Sequence, residues 1–498
     1  MSAQVTQTGG IKRDRGNGPY DSLVIKNAMI VDGTGAAPYG PADIYVSGNR
    51  IAAISEKGGI NSVKHLDNSG KNTHIIDASE KYIMPGFVDS HAHIGNSLQA
   101  PNADYVYKLW LAHGVTSVRE LGSLNGLEWT VDQARKSERN EIAAPRLFPF
   151  AAFKPGVIDR PEPRTAKDAT AWVQRAAEIG AAGVKFFAAA PAAFKAAITE
   201  AKRLGLGTAC HHDQRTSTQA NAALSTSWGL DSIEHWYGIP EAMFEDRTVQ
   251  HVPLDYNHNS EPQRFAEGAN LWLQTAQRGS DKWQQTLELL LQHGSTLCPT
   301  FNIYIGSRDA ARVRTSEWHE EYTSPTLWNF FTPSPDNHGS YMGNWTSVQE
   351  AQWRRAYQKW MSFVNDYKNL GGRVTAGSDS GFIYKVFGFG FIEELELLLE
   401  AGFHPLEVLR SATLSGAELL NRHVDLGSVE EGKYADLVLI DGNPLENFKP
   451  LYANGHLCSR DGINERQTGI AYTIKDGIVY DCEQLRADIR DIVEAEKE

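Results

Sequence analysis

"IMPGFVDSHAHIG" occupies residues 83–95 and places His91 and His93 directly after an apolar run and a Pro-Gly pair. Side chains at positions i and i+2 of a strand point to the same face of a sheet. Two imidazoles on one face at a strand end can bind one metal ion. The same pair also fits two ordinary polar residues where a strand meets a loop, so the rest of the chain decides its meaning.

The composition indicates a folded protein with a large core. The chain has 498 residues, of which 41% are hydrophobic and 22% charged, so we expect one large domain and a smaller one. Its net charge of -13 argues against nucleic acid or an anionic membrane as a partner. No apolar stretch is long enough to span a bilayer. The sequence predicts a cytoplasmic protein, and export through a signal outside the printed sequence stays open.

The cysteines argue against thiolate chemistry. The four of them are far apart and form no C-x-x-C motif, so neither a thiolate zinc site nor a disulfide framework is expected; they are Cys210, Cys298, Cys458 and Cys482.

Strand-like and helix-like segments divide the chain into three parts. Residues 1–20 are polar and Gly-rich and are predicted to be a flexible tail. Residues 21–80 and 430–484 alternate apolar and polar positions between turn signals, which favours one small β-sandwich built from both chain ends. Residues 81–429 form the third part, an α/β domain.

The α/β domain alternates short apolar strands with helices. Eight strand candidates are found at 83–90, 115–121, 146–153, 183–187, 206–212, 232–236, 296–302 and 373–379. This pattern predicts a (β/α)₈ TIM barrel, with a doubly wound sheet as the alternative. Two long connections, 237–279 and 303–348, are typical of lids or binding surfaces. The aromatic residues of the second one either pack on the barrel or on another subunit, or contact substrate.

Metal-binding and titratable side chains collect at the carboxyl ends of the predicted strands, where barrel enzymes have their active sites. Each of them also has an ordinary structural explanation, as a core histidine, a surface lysine or a turn cap. Their shared place at one rim favours a functional site. They are His91, His93, Lys185, His211, His212, Asp213, Glu234, His235 and Asp379.

These segments resemble the amidohydrolase superfamily of metal-dependent hydrolases, in particular its imidazolonepropionase-like and Xaa-Pro dipeptidase-like branch. The resemblance covers about residues 22–481. Its motifs are "PGFVDSHAHIG", "GVKFF", "ACHHDQ", "DSIEHWYG" and "TAGSDSG", followed by "SATLSGAELLN" and "LGSVEEGKYADLVLIDGNPLEN".

The resemblance implies a binuclear site with two divalent cations, zinc being the first choice. His91 and His93 would hold the buried metal, and His211 and His235 the second. Lys185, carboxylated by CO₂, would bridge both as a carbamate. Asp379 would touch the buried metal and exchange protons with the attacking water. Nitrogen and oxygen ligands of this kind also suit manganese, iron or cobalt.

The sequence departs from the family pattern at two places. Strand 5 reads His-His-Asp, so the ligand is His211, which alignment favours, or His212. Glu120 stands where relatives commonly have Asp, and we expect it to support the site rather than to bind metal.

The expected activity is hydrolysis of a C–N amide bond in a small substrate: a dipeptide, Xaa-Pro type, or an N-acyl amino acid. Tyr237 and Tyr304 are candidates to hydrogen-bond the developing oxyanion. Arg119 either binds a substrate carboxylate or forms a structural ion pair near Glu120. Alternatives are a lactonase or organophosphate-type hydrolase on the same site, a mononuclear deaminase, and an inactive metal-binding scaffold. Assembly into a homo-oligomer is also expected.

Overall fold

A computed structural model of the chain describes residues 7–498 except 11, 57–72, 162, 188, 218, 335–336, 461 and 468. The strands are β1 (Ser22–Ile30), β2 (Tyr39–Ser47), β3 (Arg50–Glu56), β4 (Thr73–Asp77), β5 (Lys81–Pro85), β6 (Phe87–Ala92), β7 (Val115–Leu121), β8 (Arg146–Ala152), β9 (Gly183–Phe186), β10 (Gly207–Cys210), β11 (Ser232–Glu234), β12 (Thr296–Cys298), β13 (Arg373–Val374), β14 (Leu437–Asp441), β15 (His456–Arg460), β16 (Ile463–Gln467), β17 (Ile470–Lys475) and β18 (Ile478–Asp481).

The helices are α1 (Ala103–Ala112), α2 (Leu127–Glu138), α3 (Ala166–Ile179), α4 (Pro191–Arg203), α5 (Ala222–Ser227), α6 (Ile239–Ala242), α7 (Glu261–Leu273), α8 (Asp281–Gln292), α9 (Phe301–Arg308), α10 (Ala310–Arg314), α11 (His319–Tyr322), α12 (Pro325–Phe331), α13 (Ser347–Asn369), α14 (Phe389–Glu400), α15 (Pro405–Ala412), α16 (Leu414–Leu419) and α17 (Cys482–Lys497). Within the described residues, every helix is too short or too polar to cross a bilayer.

Strands β6 to β13 form an eight-stranded parallel sheet in sequential order. All eight strands predicted for the α/β domain contribute to it. The sheet is curled, since backbone bonds join its first strand to the segment after its last: Ser90 N–H donates to Ala376 O (2.9 Å) and Asp379 N–H to His91 O (2.7 Å). The carboxyl ends of β6 and β13 therefore meet, which brings Asp379 beside the two histidines of strand β6.

The strand predicted at 83–90 is divided between two sheets. Residues Lys81–Pro85 pair with β1 and β14, whereas Phe87–Ala92 begins the parallel sheet. Gly86 lies at the change of sheet, and a Cβ there would come within 2.2 Å of the Thr116 side chain. Only glycine therefore fits at this crossing.

Both chain ends contribute strands to one mixed sheet, in the order β18-β17-β14-β5-β1-β2-β3, with β4 paired to β1. Its apolar residues fall into two sets: one forms a separate packing cluster, and the other, including Val438, Ile440 and Ile478, packs with the core of the α/β part. The two parts are joined by buried Arg146, whose guanidinium lies 2.6 Å from Asp436 and 2.5 Å from Asp476. These strands form a single mixed sheet, so the predicted small β-sandwich is not confirmed.

Part of the predicted flexible tail is held against the fold. Arg15 forms an ion pair with Asp488 of α17 (2.5 Å), and Asn17 exchanges backbone hydrogen bonds with Val479 of β18. Residues 1–6 lie outside the described residues. The two long connections are not irregular loops: 237–279 contains α6 and α7, and 303–348 contains most of α9 with α10 to α12. The four cysteines are free thiols, as predicted.

Candidate metal centre

One cavity at the carboxyl ends of the parallel strands collects the predicted ligands. It has a volume of about 350 Å³. Its base, which we call the cavity floor, consists of His91, His93, Lys185, His211, His235 and Asp379. Side chains from five separate segments of the sequence thus meet because their strands belong to one curled sheet.

Three imidazoles of the cavity floor surround one carboxylate. The Nε2 atoms of His91 and His235 lie 3.7 Å from oxygens of Asp379, and His93 Nε2 lies 3.3 Å from Asp379 Oδ1. Ligand atoms of His91, His235 and Asp379 all lie within 4.8 Å of one another, a spacing that fits a shared cation. Neutral imidazole and carboxylate are donors that suit zinc and related divalent ions.

The other ring nitrogen of each of two histidines is fixed by a buried partner. His91 Nδ1 lies 2.7 Å from Glu234 Oε2, and His235 Nδ1 lies 2.6 Å from Thr300 Oγ1. These contacts leave Nε2 of each ring facing Asp379. Such outer partners orient metal-binding histidines and raise their basicity. Sequence inspection notes Glu234 only as a strand-end carboxylate and gives no signal for Thr300.

Arg119 and Glu120 support the cavity floor from below. The guanidinium of buried Arg119 lies 2.7 Å from Glu234 Oε1 and donates to Ser232 Oγ (2.8 Å) and to the Ser90 carbonyl. Arg119 therefore forms a structural ion pair, with Glu234 instead of Glu120, and its role as a substrate contact stays a prediction. Glu120 accepts the Ile94 N–H (2.6 Å) and lies 3.4 Å from His93 Nδ1.

Burial keeps three of the histidines in the form that binds metal. It lowers the pKa of His91, His211 and His235 well below the ordinary value, and the nearby Lys185 lowers the pKa of all three further. His93 differs: burial lowers its pKa, but hydrogen bonds to Asp379 and Glu120 outweigh that effect and raise it to about 9. The carboxylates of Asp379 and Glu120 therefore favour a positive charge at His93.

Lys185 is the most unusual group of the cavity floor. It is 1% exposed, and within the described residues its Nζ has no hydrogen-bond partner. Burial lowers the pKa of its amine, which favours the neutral, nucleophilic form. Strand pairing fixes its position, because the Phe153 N–H donates to Lys185 O at 2.8 Å. A buried amine without a partner fits covalent modification or metal chemistry better than a structural role.

Of the two adjacent histidines after β10, only His211 lines the cavity. Its ring stacks on Tyr237 at 4.2 Å and meets the His235 ring at 4.7 Å. His212 Nε2 instead lies 2.7 Å from Ser225 Oγ of α5, on the other side of the chain. Side-chain alternation along the strand explains why the two rings separate.

Backbone strain accompanies the cavity floor. His235, Thr300 and Asp379 have φ of 63°, 49° and 47°, values that non-glycine residues rarely adopt. Near them, a Cβ on Gly377 would lie 2.7 Å from His91 Cβ. Strain of this kind collects at functional sites, where it is offset by the surrounding contacts.

The two tyrosines proposed as oxyanion donors form a pair. The Tyr304 hydroxyl donates to the Tyr237 hydroxyl at 2.8 Å, and both side chains are buried. Tyr304 lines the cavity, whereas Tyr237 lies behind His211.

The opposite side of the cavity, which we call the outer wall, is a set of aromatic rings from three distant segments. It consists of Phe265, Phe330, His338 and Phe382. The centroid of the His338 ring lies 6.0 Å from that of Phe265 and 5.6 Å from that of Phe382. Its Nδ1 lies 2.5 Å from Glu261 Oε1. Sequence reasoning flags the aromatic 303–348 segment but does not identify Phe265 or Phe382 as cavity residues.

Comparison with known proteins assigns the class. The amidohydrolase family model matches residues 82–479, most of the chain. The chain therefore belongs to the amidohydrolase family, whose members use divalent metals.

Curated relatives match a limited part of the sequence. A stretch of 127 residues is 35% identical to the adenine deaminase of Staphylothermus marinus, covering 24% of this chain and 20% of that protein. A stretch of 139 residues is 31% identical to the adenine deaminase of Bacillus velezensis, covering 26% of this chain and 21% of that protein. The chain thus matches these relatives over about a fifth of their length.

Solved structures are similar over nearly the whole chain. A Xaa-Pro dipeptidase with bound methionine has a TM-score of 0.60 at 19% identity, covering 92% of this chain and 100% of that one. Bottromycin amidohydrolase has a TM-score of 0.63 at 19% identity, covering 96% of this chain and 91% of that one. The ochratoxinase of A. niger has a TM-score of 0.61 at 16% identity, covering 93% of this chain and 96% of that one. At these identities the likeness describes the fold.

Proposed function

We propose that the protein hydrolyses a C–N amide bond of a small substrate at a binuclear centre. The observation that carries the proposal is the buried amine of Lys185, which lines one cavity with His91, His211 and His235 and whose Nζ has no hydrogen-bond partner among the described residues. A neutral amine reacts with CO₂ to give a carbamate, which supplies two oxygen ligands. His91, His93 and Asp379 would hold one cation, and His211 with His235 the other, with Lys185 between them.

The finer architecture belongs to the same proposal. The hydrogen bonds from Ser90 and Asp379 across the sheet support a closed (β/α)₈ barrel over residues 81–429. The separate apolar cluster of the mixed sheet supports a small β domain made from residues 21–80 and 430–484.

Divalent cations in such a centre lower the pKa of water and polarise the scissile carbonyl. The side chains carry the proton. Asp379, on the cavity floor, has 14% of its side chain exposed and lies within 3.7 Å of three imidazoles. It accepts the proton of the attacking water and passes it to the leaving nitrogen. Tyr304 lines the cavity, and it would donate to the oxyanion once the bond within the pair reverses, so that the Tyr237 hydroxyl donates to the Tyr304 oxygen.

A dipeptide of the Xaa-Pro type or an N-acyl amino acid is the substrate class we favour. A cavity of about 350 Å³ accommodates a molecule of that size, and the apolar outer wall suits a ring or an acyl chain. The fold likeness to a Xaa-Pro dipeptidase agrees with this choice.

Deamination of a ring is the second candidate, and the local similarity to adenine deaminases favours it. It would release ammonia from an amidine carbon instead of an amine from a carbonyl. Homo-oligomeric assembly stays a prediction.

Metal analysis and a substrate panel test the proposal together. Protein purified without chelator is analysed for metal per chain, then assayed with Xaa-Pro dipeptides, N-acyl amino acids and adenine. We expect close to two ions, zinc first, and release of the amino acid. One ion or fewer after incubation with zinc and bicarbonate contradicts the binuclear centre. Ammonia from adenine, with the dipeptides untouched, replaces the amide proposal by the deaminase one.

A further inference from the structure

We propose that a second cavity, formed by residues other than those around the metal centre, binds a small oxyanion of the phosphate or carboxylate kind. This arginine cavity has a volume of about 190 Å³ and carries Arg466, Arg486 and Arg490 on its walls. It lies where three elements meet: the chain around α11, the β15–β16 hairpin and helix α17.

Arg486 is a buried cation without a counter-ion. It is 7% exposed, and its one hydrogen bond within the described residues runs from Nη1 to the Ile470 carbonyl at a long 3.3 Å. No carboxylate of the described chain lies within ion-pair distance of it. A guanidinium has five N–H donors, and a buried charge is costly unless it is paired. An anion in the adjoining cavity supplies the missing acceptors.

Arg490, one helical turn further along α17, adds a second unpaired cation. Its Nη1 donates to the Tyr322 hydroxyl at 3.0 Å, and it too forms no ion pair with the described residues. Two like charges one turn apart repel each other, at a cost in free energy of folding. A negative ion between the two groups turns this repulsion into attraction.

The two carboxylates on the wall of the arginine cavity do not neutralise the charges of Arg486 and Arg490 on α17. Glu317 lies 3.0 Å from Arg466 and is engaged by it, and Glu321 is exposed to solvent and forms no ion pair among the described residues. Three guanidinium groups therefore face two carboxylates, and the buried member of the set is a cation.

The size and donor geometry of the cavity select the ligand. About 190 Å³ holds a few non-hydrogen atoms, and guanidinium forks match the paired oxygens of phosphate and carboxylate groups. Tyr322 belongs to the 303–348 segment, which also provides Phe330 and His338 of the outer wall. A bound anion thus fastens this segment to helix α17.

Thermal unfolding of the metal-loaded protein tests the site. Inorganic phosphate is titrated at constant ionic strength, with sodium chloride as the balancing salt, and the series is repeated with acetate. We expect a saturable rise of a few degrees in the unfolding midpoint with phosphate or acetate, because a ligand that binds only the folded state stabilises it. Whichever of the two acts at lower concentration identifies the source of the oxyanion. A rise that chloride reproduces equally overturns the proposal.

Charge-removing variants locate the binding. Arg490→Gln is expected to raise the half-saturating concentration at least tenfold, and Arg486→Met to abolish the rise. Arg354→Gln, which removes an exposed arginine from α13, is expected to titrate like the unmodified protein. If Arg486→Met fails to fold, the half-saturating anion concentrations of Arg490→Gln and Arg466→Gln decide whether the anion binds in the arginine cavity. If Arg490→Gln titrates unchanged while phosphate inhibits hydrolysis competitively, the anion binds at the cavity floor and the proposal fails, whatever the fate of the proposed activity.

Discussion

The cavity floor and the outer wall enclose the same space but are built in opposite ways. Floor residues end neighbouring strands, and buried polar partners such as Glu234 and Thr300 hold their rings. Wall residues come from helices and long connections and contact one another through tilted or edge-on rings whose centroids are 5.6–6.0 Å apart. Directional hydrogen bonds fix geometry more sharply than apolar packing does. The floor should therefore control chemistry and metal binding, and the wall should control affinity.

Asp379→Asn should have the largest effect. The amide cannot accept the proton of the attacking water, so we expect kcat to fall by about 10³-fold, within the range for loss of a general base. Steady-state kinetics with a good amide substrate measures the change. Asp491→Asn, at an exposed position of α17, should leave kcat unchanged. Full activity in a metal-loaded Asp379→Asn variant would contradict the proton-transfer role of Asp379. It would also contradict the expectation that the cavity floor controls the chemistry.

Lys185→Ala should lower metal content as well as turnover. Without the bridging group we expect about one ion fewer per chain and a loss of at least about 100-fold in kcat, since metal activation of water depends on the centre. Acetate, whose carboxylate resembles the end of a carbamate, should restore part of the activity. Lys154→Ala, which removes the other lysine of the cavity, is the matched control and should keep both ions. Equal metal content and turnover in the Lys185→Ala protein would contradict the bridge.

Glu234→Gln asks whether the floor depends on its buried partners. Glu234 holds both His91 and Arg119, so neutralising it loosens the imidazole and leaves a guanidinium poorly paired. We expect metal affinity to fall by about 10–100-fold, the usual effect of losing such a partner. Competition with a chromogenic chelator measures it. Retention of full affinity would mean that strand register alone orients His91.

Phe382→Ala tests the wall. The ring contacts Phe330, His338 and the proposed ligand His93, and the substitution enlarges the cavity without replacing any proposed ligand. We expect KM to rise about tenfold while kcat and metal content stay within twofold, the signature of lost uniform binding. The parallel substitution Phe330→Ala should behave alike. A loss of metal from either variant would show that wall and floor are not independent.

The contrast also explains how far sequence alone reaches. The eight parallel strands and the predicted floor residues follow from apolar runs that end in histidine, lysine or aspartate, because strand order places such ends together. The choice of His211 over His212 needs the observed course of the chain after β10, where Ser225 engages the second ring.

Other features have no local sequence signal. Thr300 acts through a left-handed backbone conformation next to a buried histidine, and Phe265 reaches the wall from helix α7. The same limit applies to the strand predicted at 83–90, where the close approach of Thr116 to Gly86 divides one apolar run between two sheets. Such contacts depend on tertiary packing, which a one-dimensional pattern does not encode.

Glu394→Gln should have the smallest effect on catalysis, since it changes the support beneath the floor and is read out in stability. Glu394 is buried on α14 and accepts the Asn302 N–H at 2.8 Å, while the Asn302 side chain donates to the Ser378 carbonyl at 2.7 Å, next to Asp379. Burial raises the pKa of its carboxyl to about 8. The folded protein therefore keeps a proton that the unfolded chain releases above its ordinary pKa.

The sign of the pH dependence follows. Between the unfolded pKa, about 4.5, and about 8, the native state binds more protons, so the free energy of unfolding of the unmodified protein falls as pH rises, by at most about 1.4 kcal/mol per pH unit. Glutamine does not titrate and still accepts the Asn302 N–H. The variant should therefore gain stability relative to the unmodified protein from pH 5 to pH 8, and the gain should then level off.

Denaturant unfolding at pH 5, 6.5, 8 and 9 measures that difference. Glu400→Gln, on the same helix but half-exposed and paired with Arg308, is the matched control for removing a glutamate from α14. Parallel curves for Glu394→Gln and the unmodified protein would mean that the Glu394 carboxyl has the same pKa folded and unfolded. A difference that grows with pH would show that the polar support of the floor lowers stability near neutral pH, a cost that no group of the aromatic wall is expected to share.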